Sequence, residues 1–446
     1  MKLNVENFGK IKFASVELNG YSIFVGDNNS GKTYLMQLIY GVVDALDHIQ
    51  DFDSPVFNDY PFRIDASNIK DIQSSVNKWL YENKQKIVKN IFNENLMIGS
   101  LSLELDLDDI GEKFFEIRKN QLNEIERIQK KVRYSKNIDK GTSDSFICIE
   151  NNDFVYVAAK EGERSKSFWI DFLVGLTMQR LMYKQGSRSL FLPASRSGLN
   201  LVYKNLFAEL ARPISFDLDE SKAQPLESKK LGLTGPVFDY LSFMQTYKFD
   251  AGSFERNKEL IDFIDKKIIH GTINRIGEEI RFRTQDGMDL PLYLASSMVN
   301  ELSPLVHVLS SVDLFGRIFY DEIETSQHPT TQIQLARLMN RLVNSGVNVI
   351  VSTHSDTMAA AISNLVTMSF SENSVSIAEK LGYESDDLLK EDCVHAYQFI
   401  KDVEGRTVVT EVEKFINLGI GYDFSLFNET NDKLYSDYLA ITGKNA

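Results

Sequence analysis

Hydrophobic residues fall along this chain in two rhythms, short dense runs and longer stretches at helical spacing. Near the start, Ile11, Phe13 and residues 16–18 read as strands. The turn signal Asn19-Gly20 then leads into the unbroken run Tyr21-Ser22-Ile23-Phe24-Val25. Beyond Gly26 the period changes. Leu35, Leu38, Ile39, Val42, Val43 and Leu46 recur every three or four positions, which predicts a helix over 33–46. The opening is therefore strand, glycine-bearing loop, helix. Further on, residues 66–95 predict a polar helix, and 101–105 alternates like a half-buried strand. So do 146–149 and 154–157, joined by Asn151-Asn152-Asp153. A helix follows at 168–184 and a strand at 190–192, stopped by Pro193.

The second half alternates more regularly. Ile276, Ile280 and Phe282, with a turn at Gln285-Asp286-Gly287, mark strands within 271–294. Then come helix 296–310, strand 317–321, helix 330–344, strand 347–352 and helix 356–366. Two closing strands in 393–412 and a last helix at 425–441 complete the series. Strands and helices alternating in this way predict an α/β fold with a parallel sheet. Two segments interrupt the pattern. Within 105–140, residues 113–136 carry eight Lys/Arg against three Glu and read as a charged helix, either a solvated face or a basic contact surface. Residues 213–262 hold Pro213, Pro225 and Pro236 with few strand signals, and read as helical or irregular. Both are expected to be insertions in a single domain spanning 1–446.

Composition narrows the class. With 446 residues, 43% hydrophobic and 25% charged, the chain can bury a real core, which excludes a disordered or fibrous protein. No run approaches the roughly 18–20 apolar residues of a membrane span. The first residues lack the apolar core of a signal peptide. Cys148 and Cys393 are the only cysteines and form no CxxC pair, so a disulfide framework and a Cys-rich zinc site are excluded. A reducing cytoplasm is the expected location. The net charge of −14 argues against a general nucleic-acid coat, while leaving room for a local basic patch.

The chemistry concentrates at three strand ends. Gly26-Asp27-Asn28-Asn29-Ser30-Gly31-Lys32-Thr33 matches G-x-x-x-x-G-K-[ST], between a buried strand and an amphipathic helix. In that context backbone N–H groups cradle phosphates, Lys32 reaches the outer phosphates and the Thr33 hydroxyl binds Mg²⁺. Ile318-Phe319-Tyr320-Asp321-Glu322 is an apolar strand ending in two carboxylates at the sheet edge where open α/β folds bind ligands. Asp321 is placed for the magnesium shell and Glu322 for a general base toward water. Val349-Ile350-Val351-Ser352-Thr353-His354-Ser355 brings His354 to the same edge, where an imidazole can hydrogen-bond a phosphate. Taken singly, the last two are also what a solvated strand end and a capping histidine look like.

Together the three resemble the Walker A loop, the Walker B strand and the switch-histidine loop of ABC-type ATPases in the wider AAA family. Val5-Glu6-Asn7-Phe8-Gly9-Lys10 ahead of the loop is similar to the SMC, RecF and OLD-like branch. Asp321-Glu322-Ile323-Glu324 through His328-Pro329 resembles the DE-x-E…HP stretch of the OLD-like members. The resemblance implies a P-loop ABC-type ATPase domain with a mixed sheet and helical insertions. It also implies ATP and Mg²⁺ as cofactors, with nucleotide on Gly26, Asn28, Asn29, Ser30, Gly31, Lys32 and Thr33, metal on Thr33 and Asp321, and catalysis by Glu322 and His354. The family's signature helix, which caps the γ-phosphate held by another subunit, aligns with Ser296 and Ser297, but Met298 stands where glycine is usual. A homo-oligomer, a dimer or higher, is therefore expected. Arg196, in Leu192-Pro193-Ala194-Ser195-Arg196-Ser197-Gly198, is expected either to touch nucleotide and couple it to a partner or to form a surface ion pair.

Further expectations follow from the resemblance. The chain has neither long coiled coils nor a metal hook, and no TOPRIM-like acidic strands follow His354, so a nuclease is not expected within it. Stand-alone ATPases of this size resemble the sensor subunits of anti-phage defence systems of the Septu, PARIS and retron-associated types. In these a separate effector such as a nuclease acts, and nucleic acid is a further candidate contact. A RecF-like DNA-repair clamp and a nucleotide-dependent scaffold remain open as alternatives. No membrane role is expected.

Overall fold

The computed structural model describes residues 1–105, 114–119, 135–136, 146–150, 154–159, 165–211, 232–276, 279–415 and 421–442. The strands in chain order are Lys2–Phe8 (β1), Ile11–Glu17 (β2), Tyr21–Gly26 (β3), Phe62–Ile64 (β4) and Ser100–Glu104 (β5). Next are Phe114–Lys119 (β6), Ser135–Lys136 (β7), Phe146–Glu150 (β8), Phe154–Ala159 (β9) and Arg188–Leu192 (β10). Gly271–Ile276 (β11), Glu279–Thr284 (β12) and Asp289–Pro291 (β13) follow. The last four are Phe315–Tyr320 (β14), Asn348–Thr353 (β15), Val394–Lys401 (β16) and Thr407–Val412 (β17).

Nine strands form one sheet in the order β10-β14-β15-β3-β16-β17-β2-β1-β5. From β10 to β16 all neighbours are parallel. The remainder is mixed, with β16–β17, β1–β2 and β1–β5 antiparallel and β17–β2 parallel. The expected α/β fold with a mixed sheet is the fold observed. Sequence pattern and burial agree in detail: β3 and β15 are buried at every position, as parallel strands covered on both faces must be, whereas β1 and β5 alternate.

Within the continuous runs the two-residue period still sorts side chains. Phe24, Phe191, Phe319 and Ile350 enter one core, beneath helices Lys32–Asp47, Ile69–Phe92 and Lys166–Met182. Tyr21, Ile23, Val25, Ile318, Tyr320 and Val351 enter the other, beneath Ser297–Leu309, Pro329–Asn344 and Asp356–Ser369. The sheet is thus sandwiched between two helical layers, and its central strand ends are held from both sides.

Two expectations change here. The charged stretch begins as a strand: Phe114–Lys119 pairs with β4 and β9 in a separate five-stranded sheet. Phe115 and Ile117 are buried, so the apolar alternation overrides the charge count that suggested a helix. Residues 120–134 lie outside the described residues. Within 213–262, helix Gly235–Thr246 sends Tyr240, Leu241, Phe243 and Met244 into the second core at helical spacing, so this part is integral packing rather than an appendage. Among the described residues no helix is long and apolar enough to cross a membrane.

Candidate active site

The loop after β3 is shaped by close approach. Gly26 has φ 155°, and a Cβ there would sit 2.8 Å from the Cβ of Phe399 on the neighbouring strand. Gly31 caps the following helix in a left-handed conformation at φ 102°. That helix, Lys32–Asp47, starts without a side-chain cap and without an acidic residue in its first turn. Its first N–H groups and positive dipole end are left for an anion, which is the feature phosphate needs. Ser30 is buried, while Asn28 and Asn29 stand exposed at the loop crest, Asn29 at φ 61°.

Lys32 folds back under this loop. Its Nζ donates to the carbonyls of Gly26 (2.7 Å) and Asp27 (2.9 Å), and lies 3.4 Å from both Ser30 Oγ and His354 Nδ1. Burial presses its pKa down to about 8, against the pull of Asp321, Glu322, Glu324 and Asp27 toward the charged form. Held by two carbonyls, with a hydroxyl and an imidazole nitrogen at longer range and no carboxylate in contact, the ammonium gains from a phosphate at the loop.

Asp321 closes the other side. Its carboxylate accepts from Thr33 Oγ1 (2.8 Å) and Ser352 Oγ (2.5 Å), which joins the start of the helix after β3 to the ends of β14 and β15. Burial raises its pKa, and both hydroxyls oppose the rise by stabilising the carboxylate. Glu322 takes φ 46°, a left-handed turn imposed on a non-glycine residue, and its N–H donates to Ser352 Oγ at 2.8 Å. Its carboxylate remains half-exposed, 3.7 Å from His354 Nε2.

His354 therefore sits between the ammonium and the carboxylate. It is fixed from behind, because its backbone N–H donates to Glu324 Oε1 at 2.6 Å. Glu324 and Ser352 are site residues to which sequence reasoning gave no role. The available signals were the second acid of Asp321-Glu322-Ile323-Glu324 and the hydroxyl two residues before His354.

Arg196 behaves differently from either expectation. It is neither at the phosphate loop nor on the surface: it is fully buried and pairs with buried Glu301 (Nε to Oε2, 2.8 Å). The guanidinium lies 4.4 Å from the Tyr320 ring centre and donates to the carbonyls of Pro193 (2.7 Å), Asp321 (2.7 Å) and Glu322 (3.2 Å). Its role is to pin the backbone that presents the two acids. The planar five-donor fork explains why arginine serves there.

Ser296 and Ser297 stand apart from this cluster. Ser296 is the N-cap of helix Ser297–Leu309, its hydroxyl accepting from Val299 N–H at 3.4 Å, and both serines are exposed. Met298 is half-buried against the second core, which accounts for a large apolar residue at this position.

No group of three or more His, Cys, Asp and Glu is arranged to hold a metal among the described residues. The fit for Mg²⁺ therefore rests on Thr33 and Asp321, whose oxygens already converge. A hard cation takes oxygen ligands and keeps several waters, so one hydroxyl and one carboxylate beside phosphate oxygens suit it.

A family model described as the AAA ATPase domain matches residues 1–359, and the chain belongs to that family. No curated protein matches it by sequence. Solved structures that align over nearly the whole chain include an SMC head bound to the C-winged helix domain of ScpA, at 13% identity and TM-score 0.38, covering 94% of this chain and 98% of that one. The SMC head domain from Thermotoga maritima aligns at 12% identity and TM-score 0.33 over 92% and 98%. An Smc head with an extended coiled coil, bound to the C-terminal domain of ScpA derived from Pyrococcus furiosus, aligns at 13% and 0.36 over 96% and 98%. At these values the family match, not the structural likeness, carries the assignment.

Proposed function

We propose that this ATPase-family chain binds Mg-ATP on the 26–33 loop and hydrolyses it to ADP and phosphate. The observation that supports this most directly is the meeting of Lys32, Thr33, Asp321, Glu322 and His354, drawn from three parallel strand ends. Gly26, Asn28, Asn29, Ser30, Gly31 and Lys32 would bind the phosphates, and Thr33 with Asp321 would hold Mg²⁺. The ion, when bound, supplies neutralising charge to the phosphate oxygens. Glu322 takes a proton from water, and the water oxygen attacks the γ-phosphorus as the bond to the β-phosphate bridging oxygen breaks. His354, held by Glu324, orients water and γ-phosphate. Ser296 and Ser297 would reach the phosphate of another subunit, which makes the working form a dimer or higher oligomer.

In the cell, the reading is a sensor or regulatory subunit of an anti-phage defence complex that controls a separate effector, most simply a nuclease. It rests on the resemblance of the 321–329 stretch to OLD-like members. The test has two arms. Purified protein with Mg-ATP should release phosphate, and the product of the adjacent gene should co-purify in a nucleotide-dependent assembly. Absence of phosphate release would leave a scaffold. Release with ATP-dependent retention on DNA, and no effector bound, would move the reading to a RecF/SMC-like repair clamp.

A further inference from the structure

At the far end of the helix that follows the phosphate loop lies a cavity of about 270 Å³ that the ATPase chemistry does not use. Helix Lys32–Asp47 lines it from Tyr40 onward, about two helical turns beyond Lys32. Helix Ile69–Phe92 forms the facing wall, and the start of helix Gly235–Thr246 closes it. Close approach of two helices shapes its floor: a Cβ on Gly41 would collide with the Ile91 side chain.

The charge on its walls is acidic and largely unanswered. Asp44, Asp51 and Asp239 line the cavity, with His48 and Lys86 as the only cations among the described residues. His48 already belongs to Asp44, 3.4 Å away on the exposed rim. Among the described residues no cation pairs with Asp51 or Asp239. The Asp239 carboxylate opens onto the cavity and is held by the Tyr40 hydroxyl, which donates to Oδ2 at 2.9 Å. Burial, aided by the Asp44 charge, lifts its carboxyl to about 6 against that bond. A desolvated carboxylate with one neutral partner gains from a cation. Asp44 is the one charge that bears on Asp239, so Asp51, in the loop beyond the helix, stands apart from that pair. The wall is otherwise apolar at Ala45, Ile87 and Pro236, and aromatic at Trp79, whose Nε1 donates to the Gln50 carbonyl at 2.7 Å. Among the described residues these acids are not grouped around a single metal ion. The cavity therefore suits an organic cation whose charges are spread along an apolar chain.

We infer that this cavity is a binding site for an aliphatic diamine or polyamine in its ammonium form. One ammonium meets Asp239 and Asp44, a second meets Asp51, and the methylenes between them lie on Trp79 and Ile87. An indole held in place attracts a cation to its face and covers apolar stem as well. The site rests on nothing proposed for the 26–33 loop.

The test titrates the full chain, without nucleotide and at physiological salt, with putrescine and spermidine by calorimetry. At least one should bind at a single site, more tightly than butylamine, and butanediol should not bind. Asp239→Asn keeps an acceptor for Tyr40 and should weaken binding about tenfold or more, the scale of a lost charged contact. Asp44→Asn, on the exposed rim, should weaken it too, and keeps the test open if Asp239→Asn misfolds. Asp51→Asn should bring the diamine down to the affinity of butylamine. Asp437→Asn, on helix Ser425–Thr442, reports general attraction to a chain of net charge −14 and should change nothing. Failure of both amines to bind at millimolar concentration overturns the inference. So does binding that the Asp239 and Asp44 variants leave intact, or that Asp437→Asn weakens equally. Butylamine binding as tightly as putrescine and spermidine would overturn the two-ended ligand.

Discussion

Two regions of this molecule enter the proposed phosphate chemistry, and they differ in how completely one chain builds them. At the strand ends, Lys32, Thr33, Asp321, Ser352 and His354 are tied to one another or to backbone carbonyls by contacts within one fold. At the tip of the Ser297–Leu309 helix, the hydroxyl of exposed Ser296 accepts from Val299 N–H at a long 3.4 Å, its one contact among the described residues. The first region is preorganised and the second is an open end. On the function proposed above, a folded chain would hold nucleotide without possessing everything needed to turn it over. Control of turnover by association is what the proposed function would then require.

The largest expected effect breaks the first region at its chemistry. Glu322→Gln keeps the shape and the backbone turn but removes the base, and a general base contributes about 10²–10⁴-fold. Phosphate release should fall by that factor while ATP affinity persists in equilibrium binding. A Glu322→Gln enzyme running at wild-type speed would mean that the strand-end cluster does not hold the base.

Next in size is the scaffold beneath the cluster. Arg196→Ala leaves Glu301 buried without its cation and frees the Asp321 and Glu322 carbonyls, and breaking one partner of a buried pair costs about 3–5 kcal/mol. The urea unfolding midpoint should drop accordingly. An unchanged midpoint would show that the ion pair does not hold the acids in place.

Lys32 comes third. Charge-assisted contacts are worth about 1.5–3 kcal/mol each, so Lys32→Ala should weaken ATP binding about tenfold or more. The wild type adds a pH signature. In the free protein Lys32 titrates at about 8, and a bound phosphate raises that value, so the complex holds more protons than the free protein above pH 8. Affinity should be flat below pH 8 and fall above it, by up to about tenfold per pH unit. The unliganded fold moves the other way: its lysine pKa is lower than the unfolded value of 10.5, so stability rises with pH between about 8 and 10.5. Affinity that stays flat to pH 10 would remove Lys32 from the binding step.

Much of the first region was legible in the sequence, and the reason is local. A glycine-bearing loop between a buried run and an amphipathic helix leaves few conformations for 26–33, and an apolar strand ending in Asp321-Glu322 fixes its own edge. Arg196 was misread because nothing local distinguishes a loop arginine at the surface from one buried 125 positions away from its partner carbonyl. Glu324 and Ser352 escaped a role for the same reason, since their contacts join the turn after β14 to the end of β15. The strand at Phe114–Lys119 was lost under its flanking charges. Residues 213–262 were read as helical or irregular, and their prolines hid only that helix Gly235–Thr246 packs inward, though Tyr240, Leu241, Phe243 and Met244 already had the spacing of a buried face.

The smallest single-chain effect, and the sharpest contrast with the first region, belongs to Ser296. Its bond to Val299 N–H is longer than the usual 2.7–3.2 Å, so Ser296→Ala should cost about 0.5–1 kcal/mol, the weak end for an N-cap. ATP affinity of the dilute chain should stay within about twofold, as for any exposed substitution away from the ligand. If the hydroxyl serves another subunit's phosphate, the loss appears elsewhere: ATP-dependent association in the Glu322→Gln background, followed by sedimentation, should weaken. Turnover should also stop rising with protein concentration. A Ser296→Ala chain that associates and turns over like the wild type would reduce the helix tip to a plain cap. The site at Lys32 would then be complete in one chain, and the contrast between the two regions would carry no function.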